Sequence, residues 1–196
     1  MPKSKGANKE ASTETQKKLI AAAISLFSRK GFSGTSIRDI ASEVGMTSSN
    51  IYHYFKTKDG VLAEIEKQTI EPIVQKLRKI SRLDIDHEQR LRLLIKSHLE
   101  YLNNTRKASR IFSFSEDLLP RNRAFQRESF AIYKSEIKSL LAEKGINENP
   151  TILTFCSLAS IVWFLRWYKP SGKESLEGVI NSITQFILNG ILGSRR

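Results

Sequence analysis

The polar residues best suited to contact another molecule lie in one short stretch of the N-terminal part of the chain. They are small hydroxyl and amide side chains, followed by an aromatic hydroxyl and an imidazole: Thr47, Ser48, Ser49, Asn50, Tyr52 and His53. Small donors and acceptors at the start of a helix can approach base edges, and tyrosine and histidine can reach phosphate oxygens. This set is typical of a surface that reads DNA.

The residues around this stretch have the pattern of a helix-turn-helix. Residues 36–44 place apolar side chains on one face of a short helix and precede Gly45, which permits a left-handed turn. A second helix follows from Thr47, and Ile51 and Phe55 anchor it to the first. Short helix pairs with a glycine turn also occur in proteins that do not bind DNA, so the flanking residues decide the interpretation.

The flanking residues resemble the tetracycline-repressor (TetR) family of transcriptional regulators. The similarity is carried by Leu26, Phe27, Gly31, Phe32 and residues 35–41, 44–46 and 51–62. The resemblance implies a homodimer whose two helix-turn-helix units occupy successive major grooves of a pseudo-palindromic double-stranded DNA operator. By position it also implies phosphate contacts from Thr35 or Ser36 and from Tyr52, His53 and Lys58, and base contacts from Ser48, Ser49 and Asn50.

The C-terminal half resembles the acyl-CoA-responsive branch of the same family, through residues 163–170 and the final helix. Trp163 and Trp167 lie one helical turn apart with Arg166 between them, so one helix face offers an aromatic wall and a cation to a large anionic ligand. The alternative is that both tryptophans pack in a dimer interface, where aromatic residues are enriched. The candidate effector-binding residues are His98, Arg110, Trp163, Arg166, Trp167 and Tyr168.

Two other functions compete with an acyl-CoA-responsive repressor. The effector could instead be a cationic or aromatic drug, which acidic side chains in the pocket would favour. The protein could also be a constitutive dimeric DNA-binding protein, which would have no cavity of ligand size. An enzyme has no support in the sequence, because no partnered nucleophile, paired carboxylates or phosphate-binding glycine loop is recognisable.

Helices must position all of these residues, because no stretch alternates apolar and polar side chains between hairpin turns. We predict an all-α protein of about nine helices. A disordered basic arm over residues 1–11 precedes a three-helix DNA-binding domain over 12–57 and a helical effector-binding and dimerisation domain over 58–196. Pro72 either bends a long helix over 58–82, as a hinge, or lies in the first turn of a separate helix.

Dimerisation is predicted for the last two helices, which coincide with two uncharged runs over residues 149–165 and 178–194. Each run is shorter than the roughly 20 apolar residues that span a bilayer, so no membrane partner is expected. The apolar surface of both helices instead favours pairing across a two-fold axis. The candidate dimerisation residues are Leu158, Val162, Leu176, Ile180, Ile183 and Ile187.

Composition limits the remaining possibilities. The 196 residues include 32 Lys and Arg against 20 Asp and Glu, and the net charge of +12 indicates an anionic partner. The single cysteine, Cys156, excludes a disulfide framework within the chain and a cysteine-cluster metal site, and we expect it to be a buried packing residue. No metal or other cofactor is predicted, and the polar N-terminus favours a cytoplasmic protein.

Overall fold

The computed structural model describes the backbone of residues 4–114 and 123–193, and the side chains of residues 12–114 and 126–193. Every regular element in these ranges is helical, which confirms the predicted all-α class. The helices are α1 (Ser4–Lys30), α2 (Ile37–Glu43), α3 (Ser48–Ile51), α4 (Lys58–Thr69), α5 (Glu71–Ile80), α6 (His87–Asn104), α7 (Arg106–Phe114), α8 (Arg123–Lys144), α9 (Pro150–Trp167) and α10 (Leu176–Leu192).

Two predicted boundaries differ from this arrangement. The disordered arm predicted over residues 1–11 is wrong for residues 4–11, because α1 begins at Ser4 and alanine, lysine and glutamate extend an existing helix at little cost. Residues 1–3 lie outside the described residues. The predicted helix over 58–82 is divided into α4 and α5, with Pro72 in the first turn of α5, where its missing N–H costs nothing.

The helices bury two apolar clusters. The first cluster joins α1, α2, α3 and α4 with three residues of α7: Ala108, Ile111 and Phe112. The second cluster joins α5, α6, α8, α9 and α10 around Leu91, Tyr133 and Phe164. Although α4 and α7 follow the predicted domain boundary at residue 57, their apolar faces therefore complete the core of the helix-turn-helix unit.

The helix α9 is unusually apolar. By length and composition alone it could cross a bilayer, and 28% of its residues are buried in the protein. One face of α9 packs against α6, α8 and α10, as in the core of a helical domain. The opposite face is uncovered in a single copy of the chain.

Replacing Gly45 by alanine is expected to lower the free energy of unfolding. The φ angle of Gly45 is +69°, and an alanine held in this left-handed region costs about 1–2 kcal/mol. Gly60→Ala is the control, because Gly60 lies inside α4 and an added Cβ there meets only the Thr57 hydroxyl at 3.5 Å. Urea unfolding checks both variants, and equal losses of stability would contradict the conformational explanation.

Candidate nucleic-acid interface and internal cavity

Short-range hydrogen bonds fix both ends of α2. At its start, the Ser36 hydroxyl accepts a hydrogen bond from the Asp39 N–H at 3.1 Å, and the Ser36 N–H donates to the Asp39 carboxylate at 2.7 Å. This capping box holds the pKa of Asp39 below its usual value, because the Ser36 N–H and hydroxyl donate to the ionised carboxylate. At its end, the Gly45 N–H bonds to the Ser42 carbonyl and the Met46 N–H to the Ala41 carbonyl, which closes a Schellman turn.

This turn leads into α3, which is anchored by one side chain and presents the others outward. Ile51 is fully buried in the first cluster. The residues predicted to read DNA are exposed apart from the half-buried Ser48: Thr47, Ser48, Ser49, Asn50, Tyr52 and His53. The Thr47 and Ser49 hydroxyls lie 2.9 Å apart in a mutual hydrogen bond, so they form one small polar unit at the start of the helix.

Tyr52 borders a hollow of about 440 Å³ between the N-terminal ends of α2 and α4. The unpaired N–H groups of a helix N-terminus attract anions. The hollow is lined by Ser33, Gly34, Thr35, Ser36, Ile37, Asp39, Tyr52, Lys56, Thr57 and Lys58. The hollow therefore gathers hydroxyl donors and lysine cations around one carboxylate, that of Asp39.

The structure changes the role of two residues predicted to contact phosphate. Thr35 is wrong as a side-chain contact, because it is only 2% exposed and its hydroxyl donates to the Gly31 carbonyl at 2.8 Å. The Lys58 ammonium donates to the Phe32 carbonyl at 2.7 Å and lies 4.3 Å from the centre of the Phe32 ring. Lys58 therefore braces the loop before α2. Its exposed neighbour Lys56, which the sequence did not single out, is the freer cation at the hollow.

A second cavity, of about 570 Å³, lies among helices α4 to α9, next to the DNA-reading unit formed by α1, α2 and α3. This volume falls within the roughly 300–1,000 Å³ range of small-molecule sites. Its lining is mainly apolar with several hydroxyl groups: Thr69, Ile70, Ile73, Val74, His98, Tyr101, Leu102, Ser109, Phe112, Ser113, Gln126, Arg127, Ser129, Phe130, Phe155, Leu158 and Val162. Among the lining residues that the structure describes, Arg127 is the one cationic side chain, and none carries a carboxylate.

Of the six candidate effector-binding residues, the cavity lining includes His98. Trp163 and Trp167 lie on the exposed face of α9, and Arg166 lies 4.7 Å from the centre of the Phe114 ring. Tyr168 is buried and stacks on Phe164 with the ring centroids 4.8 Å apart. Arg110 is exposed and, like these four residues, lies outside the lining.

The candidate dimerisation residues lie in three different environments. Leu158 and Val162 line the cavity, on the flank of α9 beside its exposed face. Ile180 and Ile187 are wrong as interface residues, because each is 4% exposed and packs in the second cluster. Leu176 and Ile183 are partly buried against the same cluster and keep some surface.

Exposed apolar side chains are most numerous on α9 and on the helix α10 that packs against it, and this set is called the exposed stripe. Its large members are Ile152, Phe155, Trp163, Trp167 and Phe186. Cys156 is exposed within this stripe, so its predicted buried position is wrong. Residues 152, 156, 159, 163 and 167 fall on one face of a helix with 3.6 residues per turn, which explains why this face is continuous.

His98 is buried at the cavity wall and uncharged. It is 8% exposed, and burial lowers its pKa to about 4. Its Nδ1 lies 3.4 Å from the hydroxyl of Tyr133, whose pKa is raised by burial. At neutral pH both groups are therefore neutral and act through hydrogen bonds alone.

Comparison with known proteins is consistent with this geometry. The chain is 26% identical over 183 residues to the HTH-type transcriptional repressor KstR2 of Rhodococcus jostii (strain RHA1), covering 88% of this chain and 89% of that protein. The structure of the ketosteroid transcriptional regulator KstR2 of Mycobacterium tuberculosis superposes with a TM-score of 0.80 at 18% identity, over 90% of this chain and 94% of that one.

A third similar protein, AibR, was solved in complex with isovaleryl coenzyme A and operator DNA. It superposes with a TM-score of 0.72 at 20% identity, over 87% of this chain and 96% of that one. Two family models also match, "Bacterial regulatory proteins, tetR family" over residues 19–65 and "Tetracyclin repressor-like, C-terminal domain" over residues 84–191. The chain therefore belongs to the TetR family of bacterial regulatory proteins.

Proposed function

We propose that this chain is a dimeric repressor that leaves its operator when a hydrophobic anionic effector, such as an acyl-CoA, enters the internal cavity. The observation that carries the proposal is the lining of that cavity. It is large enough for a ligand, mainly apolar, and has Arg127 as the one charged side chain among its described residues. A cavity of this kind favours an apolar ligand with a negative charge at one end.

The DNA-binding half of the proposal rests on the exposed polar residues of α3 and the hollow beside them. Ser48, Ser49 and Asn50 would approach base edges, while Tyr52 and Lys56 would contact phosphate. Ser36 adds a capped helix end to the same hollow. The chain's net charge of +12 suits the polyanionic backbone.

The dimer rests on the exposed stripe of α9 and α10. A concentration of exposed apolar side chains marks an interaction site, and aromatic residues such as Trp163 and Trp167 are enriched in interfaces. A two-fold pairing of these helices would cover the stripe and bring two copies of α3 to one operator.

The two cavity walls nearest the DNA-reading unit supply a route for coupling. Thr69 and Ile70 line the cavity at the junction of α4 and α5, while Phe112 of α7 lines it and also belongs to the first cluster. A ligand alters DNA affinity only if it binds two arrangements of the protein unequally. We propose that the effector shifts α4 at this junction, with Pro72 keeping the start of α5 in place.

The other two functions have less support. A cationic drug would need a carboxylate to offset its charge, and the described lining of the cavity has none. A constitutive DNA-binding protein would need no cavity of about 570 Å³. AibR has the same fold and was solved with isovaleryl coenzyme A and operator DNA, which supports an acyl-CoA as the first effector to test.

Saturating acyl-CoA is expected to weaken operator binding by about 5- to 150-fold, the usual range of allosteric coupling. Fluorescence anisotropy with labelled operator measures the change across acyl chains of increasing length. Unchanged operator affinity with every acyl-CoA would remove the effector from the proposal.

Arg127→Ala is expected to raise the acyl-CoA concentration needed for release by about tenfold, because the variant loses one charge-assisted contact. Lys138→Ala is the matched control, since Lys138 is an exposed cation on the same helix, outside the cavity lining. Equal responses from the two variants would show that net charge alone explains the effect of Arg127→Ala.

A further inference from the structure

His98 is a polar residue at the inner wall of a mainly apolar cavity. Within the part of the chain that the structure describes, only one of its two ring nitrogens has a hydrogen-bond partner. The Nδ1 atom faces the Tyr133 hydroxyl at 3.4 Å. The Nε2 atom has no hydrogen-bond partner among the described residues, and it is not sealed inside the protein. Because His98 lines the cavity, this nitrogen is open to a bound molecule.

The Tyr133 hydroxyl determines which ring nitrogen of His98 carries the proton. Tyr133 is fully buried behind His98, outside the cavity lining, and its phenol is protonated because burial raises its pKa. A buried O–H must donate to an acceptor, and His98 Nδ1 is the acceptor within reach among the described residues. With Tyr133 as the donor, His98 accepts at Nδ1 and carries its own proton on Nε2, so that the open nitrogen is a neutral donor.

The cavity therefore has a cationic group near solvent and a neutral hydrogen-bonding group deeper in the protein. Arg127 is exposed and cationic, so it marks the end near solvent, whereas His98 is only 8% exposed and lies at the protein end. A carboxylate beside His98 would be a buried charge without a cation, which is costly. A plain hydrocarbon there would leave the His98 N–H unpaired, which is also unfavourable.

We infer that the effector carries an uncharged hydrogen-bond acceptor, a ketone or hydroxyl oxygen, on the end that enters the protein, and that His98 Nε2 donates to it. The inference deepens the proposed function, because it names the chemistry of the effector's buried end. Tyr133 acts as a positioning residue: it contacts His98 and fixes the proton on the nitrogen that faces the ligand.

The first test needs no ligand. Imidazole ¹⁵N spectra of the protein distinguish the two neutral forms of His98, and we expect the proton on Nε2. Tyr133→Phe removes the hydroxyl while keeping the buried ring, and should allow the proton to populate Nδ1. A proton on Nδ1 in the unaltered protein would overturn the inference.

The second test uses two small neutral probes that differ in one group, heptan-2-one and 2-methylhept-1-ene, in which CH₂ replaces the ketone oxygen. Because the alkene is the more hydrophobic probe, the readout is the ketone-to-alkene affinity ratio of the unaltered protein compared with that of each variant. His98→Leu should lower that ratio about five- to tenfold while retaining alkene binding. Tyr133→Phe should reduce it severalfold, and keeps the test decisive if His98→Leu does not fold.

A ketone-to-alkene affinity ratio that His98→Leu leaves unchanged, or binding of neither probe up to its solubility limit, would overturn the inference. The outcome is separable from that of the proposed function, because neither probe has an anionic end and neither measurement involves DNA. If the ketone preference holds but acyl-CoAs leave operator binding unchanged, the anionic effector is wrong and the neutral acceptor stands. If acyl-CoAs release DNA but the ketone preference is absent, the neutral acceptor is wrong and the anionic effector stands.

Discussion

Replacing Phe186 by glutamate is expected to convert the protein from dimers to monomers and to weaken operator binding by about 100-fold or more. Phe186 is 70% exposed on α10, so the substitution removes no packing within one copy of the chain. A buried, unpaired carboxylate at a two-fold interface would appear twice and oppose association strongly. Loss of the second DNA-reading unit would then remove the gain from bivalent binding, about 10²–10⁴-fold.

Sedimentation velocity measures the oligomeric state, and fluorescence anisotropy measures operator affinity. Leu83→Glu is the matched control, because Leu83 is also an exposed apolar residue but lies in the segment between α5 and α6. A charge at Ile183 would be a poorer test, since Ile183 packs partly against the second cluster and its substitution would also destabilise the fold. If the Phe186 variant remains dimeric, the exposed stripe is not the interface.

The DNA-reading unit could be predicted from sequence because its determinants are local. Ser36 and Asp39 are three residues apart and form the capping box through their own side chains. Gly45 meets a backbone requirement within the turn it occupies, with φ at +69°. Interactions over a few residues leave a direct pattern in the sequence, so the boundaries of α2 could be anticipated closely.

The cavity could not be predicted in the same way, because α4, α5, α6, α7, α8 and α9 all contribute to its lining. Helical spacing groups Trp163 with Trp167 on one face of α9, but it does not show which face is turned inward. The structure turns Leu158 and Val162 toward the cavity and the tryptophans toward solvent. The two tryptophans therefore lie where the alternative interpretation, packing in a dimer interface, would have them.

Thr35 and Lys58 illustrate a different limit. Family position places both beside the DNA, and both do border the hollow. Their polar atoms, however, already bind the carbonyls of Gly31 and Phe32 in the loop between α1 and α2. A sequence shows that a hydroxyl or ammonium is present, but only coordinates show that a main-chain oxygen has engaged it.

The double variant Tyr52→Phe/Lys56→Ala is expected to weaken binding to every DNA sequence by roughly 30-fold or more. Each copy loses one hydroxyl and one ammonium at the phosphate hollow, and the dimer loses each contact twice, at about 0.5–1.5 kcal/mol per contact. Because two phosphates lose their cation, the slope of log affinity against log salt concentration should fall by about 1.8. Anisotropy titrations over a salt series measure both quantities on specific and unrelated DNA.

Two comparisons make this result specific to phosphate. Asn50→Ala should change which operator is preferred while leaving the salt slope unchanged, because a base contact releases no counterion. Lys58→Ala should lower the stability of the loop before α2, since it breaks the 2.7 Å bond to the Phe32 carbonyl. If Lys58 is only a brace, its loss weakens DNA binding without reducing the salt slope. A reduced slope in Lys58→Ala and an unchanged slope in the double variant would instead make Lys58, not Lys56, the cation that neutralises phosphate.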